Sequence, residues 1–416
     1  MKFKTIYITF CILGIGIKAQ TTESTFSEYL KNVKEKNLNI AAQKYNINIA
    51  EASILTASIL PDPQIDIETS NNGVAADLGY TIGAGISWTL ELGQKRKARI
   101  NYAKNESELT KLQFQDYLRN LFANATIGYI EALKSKVLLD VQKDSYENML
   151  QLAKSDSIRY QLGDISKVTS QQSKLEASSL LNEVYQQQSI QKQSVTALSD
   201  FTGGDVTEEL LTGNFNAFNR NFSLDELITE ALAQRADLLS SKQNINLAKS
   251  LINLEKANRV IDLGLSLGAQ HNTVANNEIA PSPVSNAVNL GVSIPLKFSN
   301  RRNADLKIAQ MKHTQAETEY KQIENIIRIE VTQAYHQYKS TQKQIQQFDN
   351  GILNDAKSIL DGISYSYQRG ESSILEVLNA QRTYNELRKN YFEILAENAV
   401  SLIELERKSG IWDIDF

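Results

Sequence analysis

The chain has 416 residues and a formal charge of −4, with 42% apolar and 22% charged residues. That balance excludes a disordered chain and a bundle of membrane-spanning helices, and the acidic sign argues against a nucleic-acid partner. Three histidines and one cysteine leave little material for a metal centre or thiol-redox site, and 5 prolines with 19 glycines predict long, uninterrupted elements.

Lys2 and Lys4 precede an apolar run from Ile6 to Ile17, followed by Lys18-Ala19-Gln20. A basic start, a short apolar core and a small residue at a cut site predict a secretory signal peptide over residues 1–19. A lipoprotein signal is the competing reading, but Cys11 lies inside the apolar core. Cleavage after Ala19 removes that cysteine. No later stretch approaches the ~20 apolar residues of a spanning helix, so the exported chain either stays soluble or crosses a membrane by strands.

After a leading helix, residues 63–92 read as a strand hairpin. Ile65-Asp66-Ile67-Glu68-Thr69 alternates, and Tyr80, Ile82, Ala84, Ile86, Trp88 and Leu90 oppose Thr81, Gly83, Gly85, Ser87 and Thr89. From Gln94 to Tyr160 there is no proline, and Leu118, Phe122, Ala125, Tyr129, Leu133 and Val137 recur at helical spacing. A turn at Gly163 leads into a returning helix over 165–200. Residues 203–222 show no periodicity and read as a linker.

The plan then repeats. A second strand hairpin, 260–298, sets Ile261, Leu263, Leu265 and Leu267 against Asp262, Gly264 and Ser266, and Val288, Leu290, Val292, Ile294 and Leu296 against Asn289, Gly291 and Ser293. A second long helix, 300–368, carries Ile323, Ile327, Val331, Ala334, Tyr338, Thr341 and Ile345 on one face. Gly370 makes the turn, and Ser373 with Glu376 forms a capping box opening a helix over 372–408. Nearly 70 helical residues at ~1.5 Å each reach roughly 100 Å, a length that needs packing partners throughout.

Three local matches keep the same order in both halves. Asn46-Ile47-Asn48-Ile49-Ala50 recurs as Asn244-Ile245-Asn246-Leu247-Ala248. The Ile86–Leu92 strand, followed by Lys95-Arg96, recurs as Val292–Phe298, followed by Arg301-Arg302. Tyr160-Gln161-Leu162-Gly163-Asp164 recurs as Tyr367-Gln368-Arg369-Gly370-Glu371. They predict a duplicated unit, 20–202 and 223–416, joined by the 203–222 linker.

Alternation fits a half-buried sheet in a soluble protein or a transmembrane β-barrel with a polar lumen. In the barrel case four strands cannot close a pore alone, so several copies must complete the wall. Asp66, Glu68 and Asp262 then fall on the lumen face, where they either bias permeation toward cations or are simply solvated. Lys95, Arg96, Arg301 and Arg302 open the two long helices although cations there oppose the helix dipole. They read as a membrane-rim cluster on lipid phosphates, or as partners of acids such as Glu91.

The Leu60-Pro61-Asp62-Pro63 approach to the first strand, the Glu91-Leu92-Gly93-Gln94-Lys95-Arg96-x-x-Arg99 junction, and Tyr367-x-x-Gly370 leading to Leu375-x-x-Leu378-x-Ala380-Gln381-Arg382 resemble the TolC-like outer-membrane efflux protein family, over almost all of the mature chain. The first two elements look most like its CzcC and CusC heavy-metal branch. Leu92 and Gln94 depart from the family's usual Gly-Gly-Lys-Arg junction, and the mature N-terminal cysteine common in CusC relatives is missing. The resemblance implies a mixed α/β membrane protein. Four strands per chain would enter a trimeric 12-stranded transmembrane barrel continuous with a long periplasmic α-helical barrel. It implies a passive outer-membrane exit duct serving a periplasmic adaptor and an inner-membrane pump, of the RND type. It also marks Gly163, Asp164, Gly370, Glu371 and Ser373 at the tips as adaptor-docking residues, and Tyr367 and Arg369 as gate residues. Protein secretion through the same duct and a non-pore coiled-coil scaffold are the alternatives. His271, His313 and His336 share no ligand spacing and no phosphate loop is present, so neither an enzyme nor a cofactor is expected.

Overall fold

A computed structural model describes residues 26–73, 78–204, 206, 211–213, 215–279, 281–296 and 301–411. The expected signal peptide, the Lys297–Phe298 end of the second hairpin and most of 205–210 lie outside them. The described order is α1 (Phe26–Lys36), α2 (Leu38–Ser58), β1 (Gln64–Asn71), β2 (Tyr80–Leu90), α3 (Lys95–Gln161), α4 (Lys167–Thr202), α5 (Leu224–Gln234), α6 (Ala236–Asn258), β3 (Leu263–Asn272), β4 (Ser285–Ser293), α7 (Arg301–Gln347), α8 (Leu353–Gln368) and α9 (Ile374–Ser409). A helix pair, a strand pair and a long helical hairpin thus follow one another twice.

The four strands form one antiparallel sheet in the order β1-β2-β3-β4. Among the described residues no helix is laid over either face. Beneath it the upper helices stand side by side as α2-α3-α6-α7, and below the waist α3 pairs with α4, and α8 with α9.

The central core gathers α1, the middle of α3 and α7, and the C-terminal half of α9 around Tyr129, Ile130, Ile327, Tyr338, Leu402 and Ile403, all buried. The described part of the 203–222 linker packs against the core. Leu211, Phe215 and Phe218 are buried in this core, and the segment is tied to both long helices. Tyr129 Oη donates to the Thr212 carbonyl (2.7 Å) and Tyr338 Oη to the Phe218 carbonyl (2.8 Å). A strap of irregular backbone needs such partners, because its peptide groups are otherwise unsatisfied where they are buried.

Two expectations are corrected. The second long helix is not continuous: α7 ends at Gln347, a π-helical turn spans Phe348–Ile352, and Gly351 within it has φ +103°, a conformation that favours glycine. The fourth strand is shifted toward the N-terminus. Ser285, Asn286 and Ala287 pair with Asn272, His271 and Gln270, and the strand stops at Ser293, two residues before Pro295, which cannot donate to a ladder.

Candidate functional site

Register builds the wall. Asp66, Gly85, Gly268 and Asn289 form one cross-strand row, and Glu68, Gly83, Gln270 and Ala287 the next. On the opposite face lie the rows Ile65, Ile86, Leu267, Leu290 and Ile67, Ala84, Ala269, Val288. One face is apolar and the other small or polar, which is what period-two alternation dictates. The apolar face is bare: Ile65, Ile67 and Leu290 are 75%, 78% and 83% exposed. On the polar face Asp66 accepts from Ser87 Oγ at 3.1 Å, and Glu68 is exposed beside Gly83.

At the seam between sheet and helices the structure changes the reading of several residues. Asp262 is not on a strand face. It precedes β3, forms an ion pair with the buried Lys95, and accepts from the Leu92 N–H at 3.1 Å. Arg99 binds Glu91 through its two terminal guanidinium nitrogens and donates to the Ile59 carbonyl at 3.0 Å, while Arg96 donates to the Ser58 carbonyl at 2.6 Å. Three cations of the first junction therefore tie the strand feet to α2 and α3, which favours internal pairing over lipid contact. Arg301 and Arg302 open α7, and their side chains lie outside the described residues.

The tips share one geometry. After α3, Gly163 (φ +84°) donates to the Tyr160 carbonyl and Asp164 to the Arg159 carbonyl, at 3.1 and 2.9 Å. After α8, Gly370 (φ +79°) donates to Tyr367 and Glu371 to Ser366, at 3.0 and 2.9 Å. Both are Schellman closures with the left-handed residue supplied by glycine. Ser166 caps α4, and Ser373 with Glu376 makes the expected capping box on α9. Sequence reasoning missed Leu162, Val168 and Leu375 beside these turns, all strongly exposed. Their exposure follows from no periodic pattern, so only the structure groups them around the turns.

Tyr367 is buried, with Met149, Ala153, Leu180, Val377 and Leu378 in a second core between the hairpins. Its hydroxyl donates to Asp156 Oδ1 at 2.9 Å, and the Arg159 guanidinium lies 5.1 Å from its ring centroid. Burial, reinforced by Asp156, pushes the phenol's pKa up. Arg369 is exposed and pairs with Glu371 at 3.1 Å. Arg388–Asp144 (3.0 Å) and Arg382–Glu176 (2.5 Å) add further ties from α9 to α3 and α4. No group of His, Cys, Asp and Glu among the described residues is arranged to hold a metal ion.

The profile of the outer membrane efflux protein family matches residues 29–204 and 227–410. The cobalt-zinc-cadmium resistance protein CzcC of Cupriavidus metallidurans is 24% identical over 377 residues, 90% of this chain and 87% of CzcC. The outer membrane protein TolC of Vibrio cholerae is 21% identical over 403 residues, 92% and 90% of the two chains. The CusC crystal structure superposes with a TM-score of 0.74 at 18% identity, covering 93% of this chain and 92% of CusC. The open-state MtrE outer membrane channel of Neisseria gonorrhoeae gives 0.74 at 13%, covering 92% and 88%. The chain belongs to the outer membrane efflux protein family and is a TolC-like outer-membrane protein, similar in sequence to CzcC and in fold to CusC.

Proposed function

We propose that three copies assemble into the exit duct of a tripartite efflux pump. The β1 edge of each copy pairs with the β4 edge of the next to close a 12-stranded barrel over a continuous helical tube. The observation that carries this reading is a four-stranded sheet whose two edges and apolar face have no cover among the described residues, and whose polar face bears carboxylates. A soluble sheet of this composition would lay its apolar face on its own helices, as the scaffold alternative requires. Among the described residues no helix is long and apolar enough to cross a membrane.

The duct is passive, and its energy comes from a partner pump of the RND type through a periplasmic adaptor. Gly163, Asp164, Gly370, Glu371 and Ser373, flanked by exposed Leu162, Val168 and Leu375, are the docking surface. Tyr367 and Arg369 belong to the gate: opening parts α8 and α9 from α3 and α4 and breaks the Tyr367–Asp156 bond. Asp66 and Glu68 project into the lumen beside Gly83, Gly85 and Gly268, whose missing side chains leave the acids as the dominant groups of their rows. That placement favours cations, and heavy-metal cations or small toxic compounds are the cargo. The lumen role is withdrawn for Asp262, which Lys95 holds.

Deleting the gene and scoring metal tolerance, drug tolerance and secreted proteins tests the cargo. Lost metal or drug tolerance with an unchanged secreted profile supports efflux, whereas a changed secreted profile alone moves the duct to protein secretion. In planar bilayers, Asp66→Asn with Glu68→Gln is expected to lower the cation-to-anion permeability ratio. An unchanged ratio removes the selectivity role.

A further inference from the structure

Directly below the seam, α3 and α6 enclose a groove of about 750 Å³ that the exit-duct reading does not use. Lys97 and Lys104 of α3 and Lys256 of α6 line it, over an apolar floor that includes Ile100, Ala257 and Val260. The three lysines are exposed and make no ion pair among the described residues, unlike Lys95, Arg96 and Arg99 of the same junction. Exposed cations beside an apolar lining fit an amphiphile with a phosphate head.

The groove's position narrows its ligand further. Arg99 turns toward Glu91, which continues the polar alternation of Ser87 and Thr89. At 100° per residue, Lys97 and Lys104 project from the other side of α3, the side continuous with the sheet's apolar face. Lys97 lies in the first helical turn below the strands, within a headgroup layer roughly 5–7 Å deep. Lys104 lies ~10 Å further along the axis, toward the periplasm. Because α2 and α7 form the outer edges of the upper helix row, a neighbouring copy that joins edge to edge leaves the α3–α6 groove open.

We propose that this groove binds the phosphate headgroup of an anionic phospholipid from the membrane leaflet at the seam, with an acyl chain rising toward the sheet over Ala257 and Val260. The site rests on the membrane-spanning reading and replaces the lipid role expected of Lys95 and Arg96. Its function is to fix the depth at which the barrel sits.

The test uses full-length protein solubilised and placed in nanodiscs of phosphatidylglycerol mixed with phosphatidylcholine, with retained lipid counted by native mass spectrometry. Lys97→Gln, Lys104→Gln and Lys256→Gln are combined in one variant. A charge-matched control carries Lys143→Gln, Lys174→Gln and Lys192→Gln on the lower helices. Each lysine near an anionic surface is worth about fivefold in affinity. The groove variant is therefore expected to lose most retained phosphatidylglycerol, while the control keeps it and phosphatidylcholine is unaffected in both. Equal retention by the groove variant and wild type overturns the site. Displacement of the lipid by inorganic phosphate at matched concentration also overturns it, since the groove then binds free anion. Nanodisc insertion of the groove variant is scored separately: insertion without lipid retention leaves the duct reading standing, and failure of wild type to insert defeats that reading itself.

Discussion

Tyr367 and Asp156 face each other where the two hairpins meet, and their bond is buried. Asp156 Oδ2 has no hydrogen-bond partner, so Tyr367→Phe leaves a fully buried carboxylate with neither oxygen satisfied. A buried acceptor stripped of its donor costs about 1–3 kcal/mol, and that cost falls on the packed arrangement of α8 against α3. The variant is expected to open more often in single-channel records while still forming the assembled particle. Unaltered opening would remove Tyr367 from the gate. Because burial and Asp156 raise the phenol's pKa, the native state holds that proton more tightly than the unfolded chain does. The stabilisation is complete below the free tyrosine value of about 10 and declines as the pH rises past it. Channel opening in wild type should accordingly be insensitive to this pair from neutral to mildly alkaline pH. At the turns, a Cβ on Gly370 would meet nothing within 4 Å, so only its positive φ requires glycine. Gly370→Ala is expected to cost about 1 kcal/mol and to leave efflux measurable. Gly370→Trp, which places bulk on the proposed docking surface, should abolish efflux in a drug-tolerance assay although trimers assemble. Normal efflux by the tryptophan variant would count against docking there.

At the scale of elements, Arg235 joins three of them. It sits between α5 and α6, only 4% exposed, and bonds Asp237 (2.6 Å), Glu330 of α7 (2.9 Å) and the Lys408 carbonyl of α9 (2.9 Å). Burial alone would raise the pKa of Asp237 and Glu330, but hydrogen bonds from Arg235, and from Lys408 on Glu330, hold both below their ordinary values. Depressed carboxylates stabilise the fold above about pH 4 and lose that contribution as the pH falls through their native values. Arg235→Ala is expected to cost about 3 kcal/mol at neutral pH. The gap in melting temperature from wild type should narrow as the pH drops below about 4, and a gap constant with pH would contradict the clamp. This network was invisible in the sequence, because its members are 95 and 173 residues apart from Arg235 and no local pattern links them. The strands and long helices were legible because their periods of two and 3.6 persist over many residues. The break at Gly351 is not legible in the sequence, since one glycine inside a regular helical pattern is a weak signal. The end of β4 was overshot because the apolar alternation runs on through Pro295, where the backbone cannot.

For the whole molecule, the sheet and the helices make one demand. A sheet with two open edges and exposed Ile65, Ile67 and Leu290 invites further strand pairing in water, so the isolated chain is not a finished particle. Closure by like copies removes every edge, and a polar lumen with an apolar rim is the cross-section that a spanning barrel needs. The expected duplication of residues 20–202 as 223–416 fits the proposed assembly: two hairpin units per chain would supply four strands, and three chains would supply twelve. Cation preference, tip docking and the lysine groove all presuppose that closed wall. The decisive measurement is the mass of the purified protein in detergent, followed by planar-bilayer recording of the same particle. A trimer with stable conductance steps is the predicted result; a monomer that inserts no conductance would contradict it.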